Sequence, residues 1–327
     1  MSRLRRSSAG ALSGLALLAL LPVWIGGRHG YGLGTTAVIA VITALGLQVV
    51  FGLSGQLSVA QAPLQGVGAY AVAQLMVELG WSFWAALLPA VVVAAGFGVV
   101  VGLPGLRVRG DVLALATLAA GEILQSLFLN TERFTGGFQG IAGVPGVSVF
   151  GHALDDRGLY AVALGLGLAV LAGALAVKAS PLGRAWMALR DDEVAARSFG
   201  VHTGRLRLLA FAVGSGMAGV AGGIYAVQNG FVSSVSFGLN QTVVVILVVL
   251  IAGEAHMGRT VVAAVAITAV LDRLAAYADV SEAVTGLVIL AVVASRLGLV
   301  GSARVRLRTM LRLPAPRPAG GAEVPVP

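Results

Sequence analysis

Charged residues able to form contacts with another molecule are concentrated between Lys178 and Arg207, a segment that we call the polar island. It contains three consecutive acids, Asp191, Asp192 and Glu193, together with six basic residues. Apolar runs long enough to span a bilayer flank the island on both sides. A cluster of both charges can bind a protein partner through ion pairs and hydrogen bonds, whereas an anionic lipid surface would repel its acids.

The island carries the sequence signals of two short helices. Ser180 followed by Pro181 is typical of a helix start, and Leu182, Trp186 and Leu189 then recur on one face. This pattern predicts a first helix with one apolar stripe.

A second helix is expected directly after the three acids, because carboxylates accept hydrogen bonds from the free N–H groups at a helix start. Gly200 suits the left-handed residue that ends such a helix. The two helices predict either a knob that binds a partner protein or an amphipathic segment that lies on the inner leaflet. The pattern alone leaves both interpretations open.

A second set of polar residues lies within or beside the apolar runs, where polar side chains are costly and often mark the path of a transported solute. Glu122 is the clearest case, because a carboxylate in hydrocarbon needs a partner or a proton. The amides and the threonine of this set could instead join helices by hydrogen bonds, and both roles stay open. The path candidates are Gln48, Gln56, Gln61, Gln65, Thr117, Glu122 and Gln125.

Motifs for catalysis and metal binding are absent from the sequence. It contains no HExxH, GxSxG or paired-acid site, and its four histidines are scattered. The lack of cysteine excludes disulfides and thiolate metal sites. The only lysine, Lys178, lies outside any GxxxxGK[ST] nucleotide-binding loop. We therefore expect a protein that is no enzyme, with no catalytic residue, no metal and no cofactor bound by this chain.

The composition is that of an integral membrane protein. Hydrophobic residues make up 57% of the chain, charged residues only 11%, and the mean hydropathy is +0.93. The apolar runs predict an all-α bundle of eight to ten transmembrane helices, with ten preferred. Glycine and proline flank a polar run in SGQLSVAQAP (54–63), which predicts non-helical backbone that lines the cavity, away from lipid. The candidate spans lie near 9–26, 32–53, 60–79, 83–103, 112–130, 158–178, 206–228, 239–253, 260–277 and 281–295.

The first span, 9–26, has a basic start and is expected to be a retained signal anchor, because no clear cleavage site follows it. The pair 239–253 and 260–277 predicts either two full spans or a re-entrant pair, and the number of crossings stays even in both cases.

The distribution of Lys and Arg predicts that both termini are cytoplasmic. This orientation places 18 of the 22 basic residues inside, including the six of the island. The net charge of +8 is then a topology signal and does not indicate nucleic acid. Residues 1–312 are expected to form one membrane domain, with 178–207 as a cytoplasmic loop. The Pro-, Ala- and Gly-rich segment 313–327 predicts a disordered cytoplasmic tail.

Four blocks of the sequence carry a family pattern, and their order and spacing are more specific than any single block. The blocks are GLSGQLSVAQAPLQGVGAYAV (52–72), RGDVLALATLAAGEILQ (109–125), TGGFQGIAGVPG (135–146), and SPLGRAWMALRDDEVAARSFGV (180–201) continuing into 208–226. Together they resemble the permease subunits of ABC importers for branched-chain amino acids, of the LivM type. In the last block, Ala195-Ala196-x-x-x-Gly200 resembles part of the loop by which importer permeases bind their ATPase.

The resemblance implies a permease that moves branched-chain or related amino acids across a bacterial inner membrane. ATP would be hydrolysed by two separate ATPase subunits, and the other implied partners are a second permease subunit of the LivH type and an extracytoplasmic substrate-binding protein. The expected ATPase contacts are the charged Arg190, Asp191, Asp192 and Glu193, the apolar Trp186 and Leu189, and Gly200.

The chain departs from the family pattern at 252–260, where AGEAHMGRT replaces a glycine-rich turn. Glu254, His256 and Arg259 stand there in place of small residues, so we expect the neighbouring helices to pack or couple differently. Two alternatives to the implied function remain. One is an ABC permease for urea or short amides, and the other is an ion-coupled secondary transporter in which Glu122 is the coupling carboxylate.

Overall fold

The computed structural model describes residues 27–108, 110–149 and 152–275. The predicted spans 9–26 and 281–295 and the predicted tail 313–327 lie outside the described residues.

Helices occupy the other eight predicted spans. Six helical segments of the described ranges are long and apolar enough to cross a membrane, which agrees with an all-α, multi-pass membrane protein. The long helices are α1 Gly27–Leu47, α2 Gln61–Val77, α3 Phe83–Gly102, α4 Asp111–Asn130, α6 Asp156–Ala179, α9 Thr203–Asn229, α10 Leu239–Ala252 and α11 Met257–Ala275. The short ones are α5 Glu132–Thr135, α7 Pro181–Asp191 and α8 Glu193–Ser198.

Irregular helical turns and very short strands complete the described part. A π-helical turn, Gln48–Leu53, continues α1, and 3₁₀ turns form at Leu103–Leu106, Gly137–Gln139 and Ser234–Phe237. The strands are β1 Ile141–Ala142, β2 Ser148–Val149, β3 His152–Ala153 and β4 Phe231–Val232. β1 pairs antiparallel with β4, with Ile141 opposite Val232, and β2 pairs antiparallel with β3.

Long-range contacts distinguish the two ends of the helical bundle. At the island end, the polar island contacts Gly52, Gly105 and Glu254. At the opposite end, β1 pairs with β4, and the side chain of Gln228 donates a hydrogen bond to the carbonyl of Gly32 over 3.0 Å. The distribution of Lys and Arg predicts that certain loops share one side of the membrane, and these loops lie together at one end of the bundle.

Helices α10 and α11 are two separate passages along the bundle. The turn that joins them lies at the island end, where Glu254 contacts the polar island. Near the end of α11, Asp272 lies 3.3 Å from His29, at the opposite end. Residues 239–275 therefore form a pair of antiparallel helices and not a re-entrant pair.

Close approaches between backbones hold α9 at the centre of the bundle against α1 and α2. A Cβ atom at Gly68 of α2 would collide with the backbone of Gly219 in α9, and one at Gly46 of α1 would collide with the carbonyl of Gly214. Glycine allows helices to approach this closely in a membrane, where packing and not water drives their association.

The chain between α1 and α2 is interrupted inside the bundle. Residues 54–60 are non-helical and mostly buried, and the segment turns at Gly55, whose φ is +73°. Helix α2 then begins at Gln61, whose side-chain amide donates to the carbonyl of Gly214 in the middle of α9 over 3.1 Å. Non-helical backbone is tolerated at such depth only where protein covers it. The non-helical backbone predicted from SGQLSVAQAP is confirmed for residues 54–60, whereas residues 61–63 belong to helix α2.

Candidate functional site

The polar island folds as two short helices that meet at an acidic corner. The Ser180 hydroxyl accepts a hydrogen bond from the Gly183 N–H at 3.3 Å, so it caps α7 at Pro181 as predicted. The Asp192 carboxylate accepts from the N–H groups of Val194 and Ala195, at 2.8 and 3.0 Å, and so caps α8.

Gly200 follows the end of α8 with a left-handed φ of +80°. A residue with a side chain is strained in this conformation, which explains the glycine. Both helices and the residue that ends the second one are where the sequence predicts them.

The apolar stripe of α7 fastens the island to the membrane bundle. Trp186 is completely buried, and its indole N–H donates a hydrogen bond to the Leu206 carbonyl at 2.8 Å. Leu189 is also buried. Because both side chains are buried within this chain, they do not form the outward apolar surface expected from the sequence.

Glu193 points inward and joins two arginines. Its carboxylate lies 3.0 Å from Arg197 and forms a second ion pair with Arg207, and its side chain is only 9% exposed. Arg207 also donates to the carbonyl of Gly105 at 2.7 Å. A buried pair of this kind is costly to break from one side, because the remaining charge loses its partner. These contacts fix α8 against α9 and the turn after α3.

Arg190 also reaches back into the bundle. Its guanidinium donates to the carbonyl of Gly52 at 2.6 Å and lies 2.5 Å from the carboxylate of Glu254. Of the four charged residues expected to contact a partner, Arg190 and Glu193 thus have partners in this chain, and Asp192 caps a helix.

Asp191, Val194 and Phe199 lie on the exposed surface of the island. Val194 is 73% exposed and Phe199 is 89% exposed. The Asp191 carboxylate is exposed, and no residue of the described part pairs with it. Sequence reasoning missed Val194 and Phe199, although a large apolar residue directly before the helix-ending Gly200 was a usable signal. A groove of about 530 Å³ begins beside them and is lined by Arg197, Gly200, Val201, His202, Thr203, Gly204 and Arg205.

Five of the seven path candidates are buried and hydrogen-bonded between elements. Gln48 donates to the Gly253 carbonyl at 2.8 Å, and Gln65 accepts from the Thr43 hydroxyl at 3.1 Å. The Thr117 hydroxyl accepts from the N–H of Val59 in the interrupted segment, at 3.0 Å. The members of this buried set are Gln48, Gln56, Gln61, Gln65 and Thr117.

Three carboxamide oxygens of this buried set lack a hydrogen-bond partner within the described ranges. They belong to Gln48, Gln56 and Gln61. A buried unpaired acceptor costs about 1–3 kcal/mol. Each of these oxygens is therefore available to accept a hydrogen bond in another arrangement of the surrounding helices.

Glu122 lies apart from this set, on the exposed face of α4. It is about 16 Å from the start of a helix of about 30 Å, and no described residue pairs with its carboxylate. Ser126 and Asn130 follow it on exposed positions, whereas Gln125 is half-buried and donates to the Ser234 carbonyl at 3.4 Å. A carboxylate that faces lipid at mid-depth costs about 2.5–3.5 kcal/mol. This face of α4 therefore needs protein or water beside it.

Comparisons with known proteins point to one family. The family model described as "Branched-chain amino acid transport system / permease component" matches residues 31–293. The high-affinity branched-chain amino acid transport system permease protein LivM of Salmonella typhimurium is 34% identical, and the match covers 90% of this chain and 76% of LivM. LivM of Escherichia coli is 34% identical over the same shares.

More distant relatives broaden this comparison. The autoinducer 2 import system permease protein LsrC of an Enterobacter species is 30% identical, over 66% of this chain and 61% of LsrC. No solved structure matches the chain significantly.

The cap of α8 yields a test with a neighbouring control. We expect Asp192→Ala to destabilise α8 by about 1 kcal/mol, because two N–H groups lose their acceptor. In the protein purified without partners, trypsin cleavage after Arg197 should accelerate roughly fivefold. Asp191→Ala removes an exposed carboxylate that caps nothing and should leave the rate unchanged. Equal rates for the two variants would contradict the assigned cap.

Proposed function

Because the chain belongs to the family of permease components of branched-chain amino acid transport systems, we propose that it is one permease subunit of an ABC importer in a bacterial inner membrane. Its solute is a branched-chain or related amino acid, the class named for its LivM relatives. The full subunit has ten transmembrane helices and two cytoplasmic termini, and the polar island lies in the cytoplasm.

The observation that carries this proposal is the exposed surface of the island. Phe199 and Val194 project from the surface of the island. Asp191 of the same module is exposed, and no described residue pairs with its carboxylate. Large exposed apolar side chains within a polar rim are typical of a protein–protein interface. The occupant is an ATPase subunit, because the sequence lacks a nucleotide-binding loop of its own.

The complete importer then contains this chain, a second permease subunit of the LivH type, two ATPase subunits and an extracytoplasmic substrate-binding protein. ATP is bound and hydrolysed by the ATPases, and this chain itself holds no cofactor and performs no catalysis. A LivH protein of Escherichia coli is 30% identical to this chain over 216 residues, which fits a pair of related permeases.

The island residues divide into two roles. Asp191, Val194 and Phe199 contact the ATPase directly. The others hold the shape of the island, through the internal contacts described above, and act on the ATPase only through it. This second group contains Trp186, Leu189, Arg190, Asp192, Glu193 and Gly200.

Movement of the island can reach the membrane through its two flanking helices. Only Ser180 separates α7 from α6, and the hydrogen bond from Trp186 to Leu206 ties α7 to α9. An ATPase that binds the island differently in its open and closed states therefore shifts both helices. This coupling gives access alternately from each side of the membrane.

The solute path lies along the exposed face of α4, which the second permease subunit covers. Glu122 is placed there to meet the ammonium group of an amino acid, and Gln125 lies at the edge of this face. The buried glutamines and Thr117 serve mainly to join the helices around the interrupted segment.

The docking surface can be tested with two exposed phenylalanines. Phe199→Ala should weaken ATPase binding by about 2 kcal/mol, or roughly thirtyfold, as for the loss of a central interface side chain. The measurement is retention of co-expressed ATPase on the tagged permease, followed by a binding titration. Phe138→Ala is the matched control, because Phe138 is 84% exposed but lies beyond the far end of α4. Full ATPase retention by Phe199→Ala would contradict the proposed docking site.

The ion-coupled alternative has one observation in its favour, the unpaired carboxylate of Glu122 at mid-depth. In proteoliposomes with the complete importer, we expect uptake to require ATP and to survive a protonophore. Glu122→Gln should lower amino-acid uptake roughly tenfold, the order expected when a charged contact of about 1.4 kcal/mol is lost. ATPase retention should not change.

Glu132→Gln, an exposed acid at the opposite end, is the control for this experiment and should behave as the unaltered chain does. Uptake that proceeds without any ATPase and stops with the protonophore would establish the ion-coupled transporter instead. Uptake of urea or a short amide in place of amino acids would assign the other substrate class.

A further inference from the structure

Arg190 joins the polar island to two distant parts of the bundle. Its guanidinium donates to the Gly52 carbonyl at 2.6 Å, in the π-helical turn that ends α1. The same group lies 2.5 Å from the carboxylate of Glu254, in the turn between α10 and α11. A planar guanidinium held by two partners has a fixed orientation, which a single hydrogen bond does not give.

The chain beyond Gly52 is shaped around the Arg190 side chain. Gly55 has a φ of +73°, and a Cβ atom there would lie 2.7 Å from the Cγ of Arg190. Gly55 also opens the interrupted segment 54–60, which leads to Gln61 in the middle of the bundle. Arg190 therefore contacts the chain at the point where its helical backbone is interrupted.

The turn between α10 and α11 receives side chains from three different elements. Gln48 donates to the carbonyl of Gly253 at 2.8 Å, Lys178 donates to the carbonyl of Ala255, and Arg190 pairs with Glu254. Ala255 has a φ of +56°, a left-handed conformation that is uncommon for a residue with a side chain. Glu254, the acid of this turn, is the residue that Arg190 binds.

We propose that Glu254 is a positioning residue for ATP-driven transport. By fixing the Arg190 guanidinium, it lets displacement of the island reach both the interrupted segment 54–60 and the turn between α10 and α11. This route is additional to α6 and α9. The inference rests on the proposed function, because it requires an ATPase that moves the island.

The ion pair between Arg190 and Glu254 is partly open to solvent, and this exposure limits how much its loss should reduce coupling. The side chains of Arg190 and Glu254 are 27% and 54% exposed. Water and salt weaken such a pair, so its loss should loosen the transmission without unfolding the protein. We expect a partial loss of coupling and no loss of assembly.

The experiment uses Glu254→Gln in the complete importer, reconstituted in proteoliposomes with both permeases, the ATPases and the binding protein. ATPase retention, ATP hydrolysis and amino-acid uptake are measured on the same preparation. Retention and hydrolysis should stay within about twofold of the unaltered importer, while uptake per ATP hydrolysed should fall roughly fivefold, the scale of one partly exposed ion pair. Glu132→Gln is the charge-matched control and should change none of the three.

A second pair of variants tests the Arg190 contact without altering a charge. Gly55→Ala and Gly80→Ala place a side chain on a backbone of similar φ, +73° and +65°, but only the former meets Arg190. Gly55→Ala should reproduce the loss of uptake per ATP, and Gly80→Ala should not. Arg190→Gln combined with Glu254→Gln should be no worse than Arg190→Gln alone, because Glu254 acts only through Arg190.

Unchanged uptake per ATP in Glu254→Gln, or equal losses in the two glycine variants, overturns this inference and leaves the proposed function intact. Loss of ATPase retention in Glu254→Gln also overturns it, since Glu254 would then belong to the docking surface. The proposed function is tested separately with the unaltered chain. It fails if that chain retains no ATPase or transports its solute without ATP.

Discussion

Backbone N–H and C=O groups inside a membrane must find hydrogen-bond partners within the protein, and the break between α1 and α2 is where this requirement is hardest to meet. The N–H groups of Gly55 and Gln56 bond back to the π-helical turn, to Phe51 and Val50 at 3.0 and 3.1 Å. Farther along, the N–H of Val59 is satisfied by the Thr117 hydroxyl. Several polar side chains in otherwise apolar spans are thus explained by one interruption of the backbone.

This interruption of the backbone lies directly against the polar island, and residues of the two regions contact each other. Arg190 satisfies the Gly52 carbonyl at the end of the π-helical turn, and Gly55 makes room for it. Glu193 forms a buried ion pair with Arg207 at the start of α9, so α8 cannot slide on the bundle without separating two charges that have little water around them. A rigid module placed on a non-helical segment can transmit a displacement into the membrane, whereas a loosely held loop would absorb it.

The sequence predicts local structure well here and long-range contacts poorly. The eight long helices of the described ranges could be predicted because each contains an extended apolar run, and the island helices because Ser180 and Asp192 cap them. The direction of the island's side chains could not be predicted. The backbone carbonyls that Arg190 and Arg207 bind lie 138 and 102 residues away and leave no local pattern. Periodicity places Trp186 and Leu189 on one face of α7, but it does not say what covers that face.

The central claim is that the exposed surface of the island, at residues 191–200, binds an ATPase. Amide hydrogen exchange of the permease in lipid nanodiscs, with and without saturating ATPase subunits, tests it most directly. The account predicts slower exchange over residues 191–200 when the ATPase is present, and unchanged exchange over residues 131–149 at the opposite end. Exchange over 191–200 that does not respond to the ATPase, or protection that occurs only at the opposite end, would contradict it.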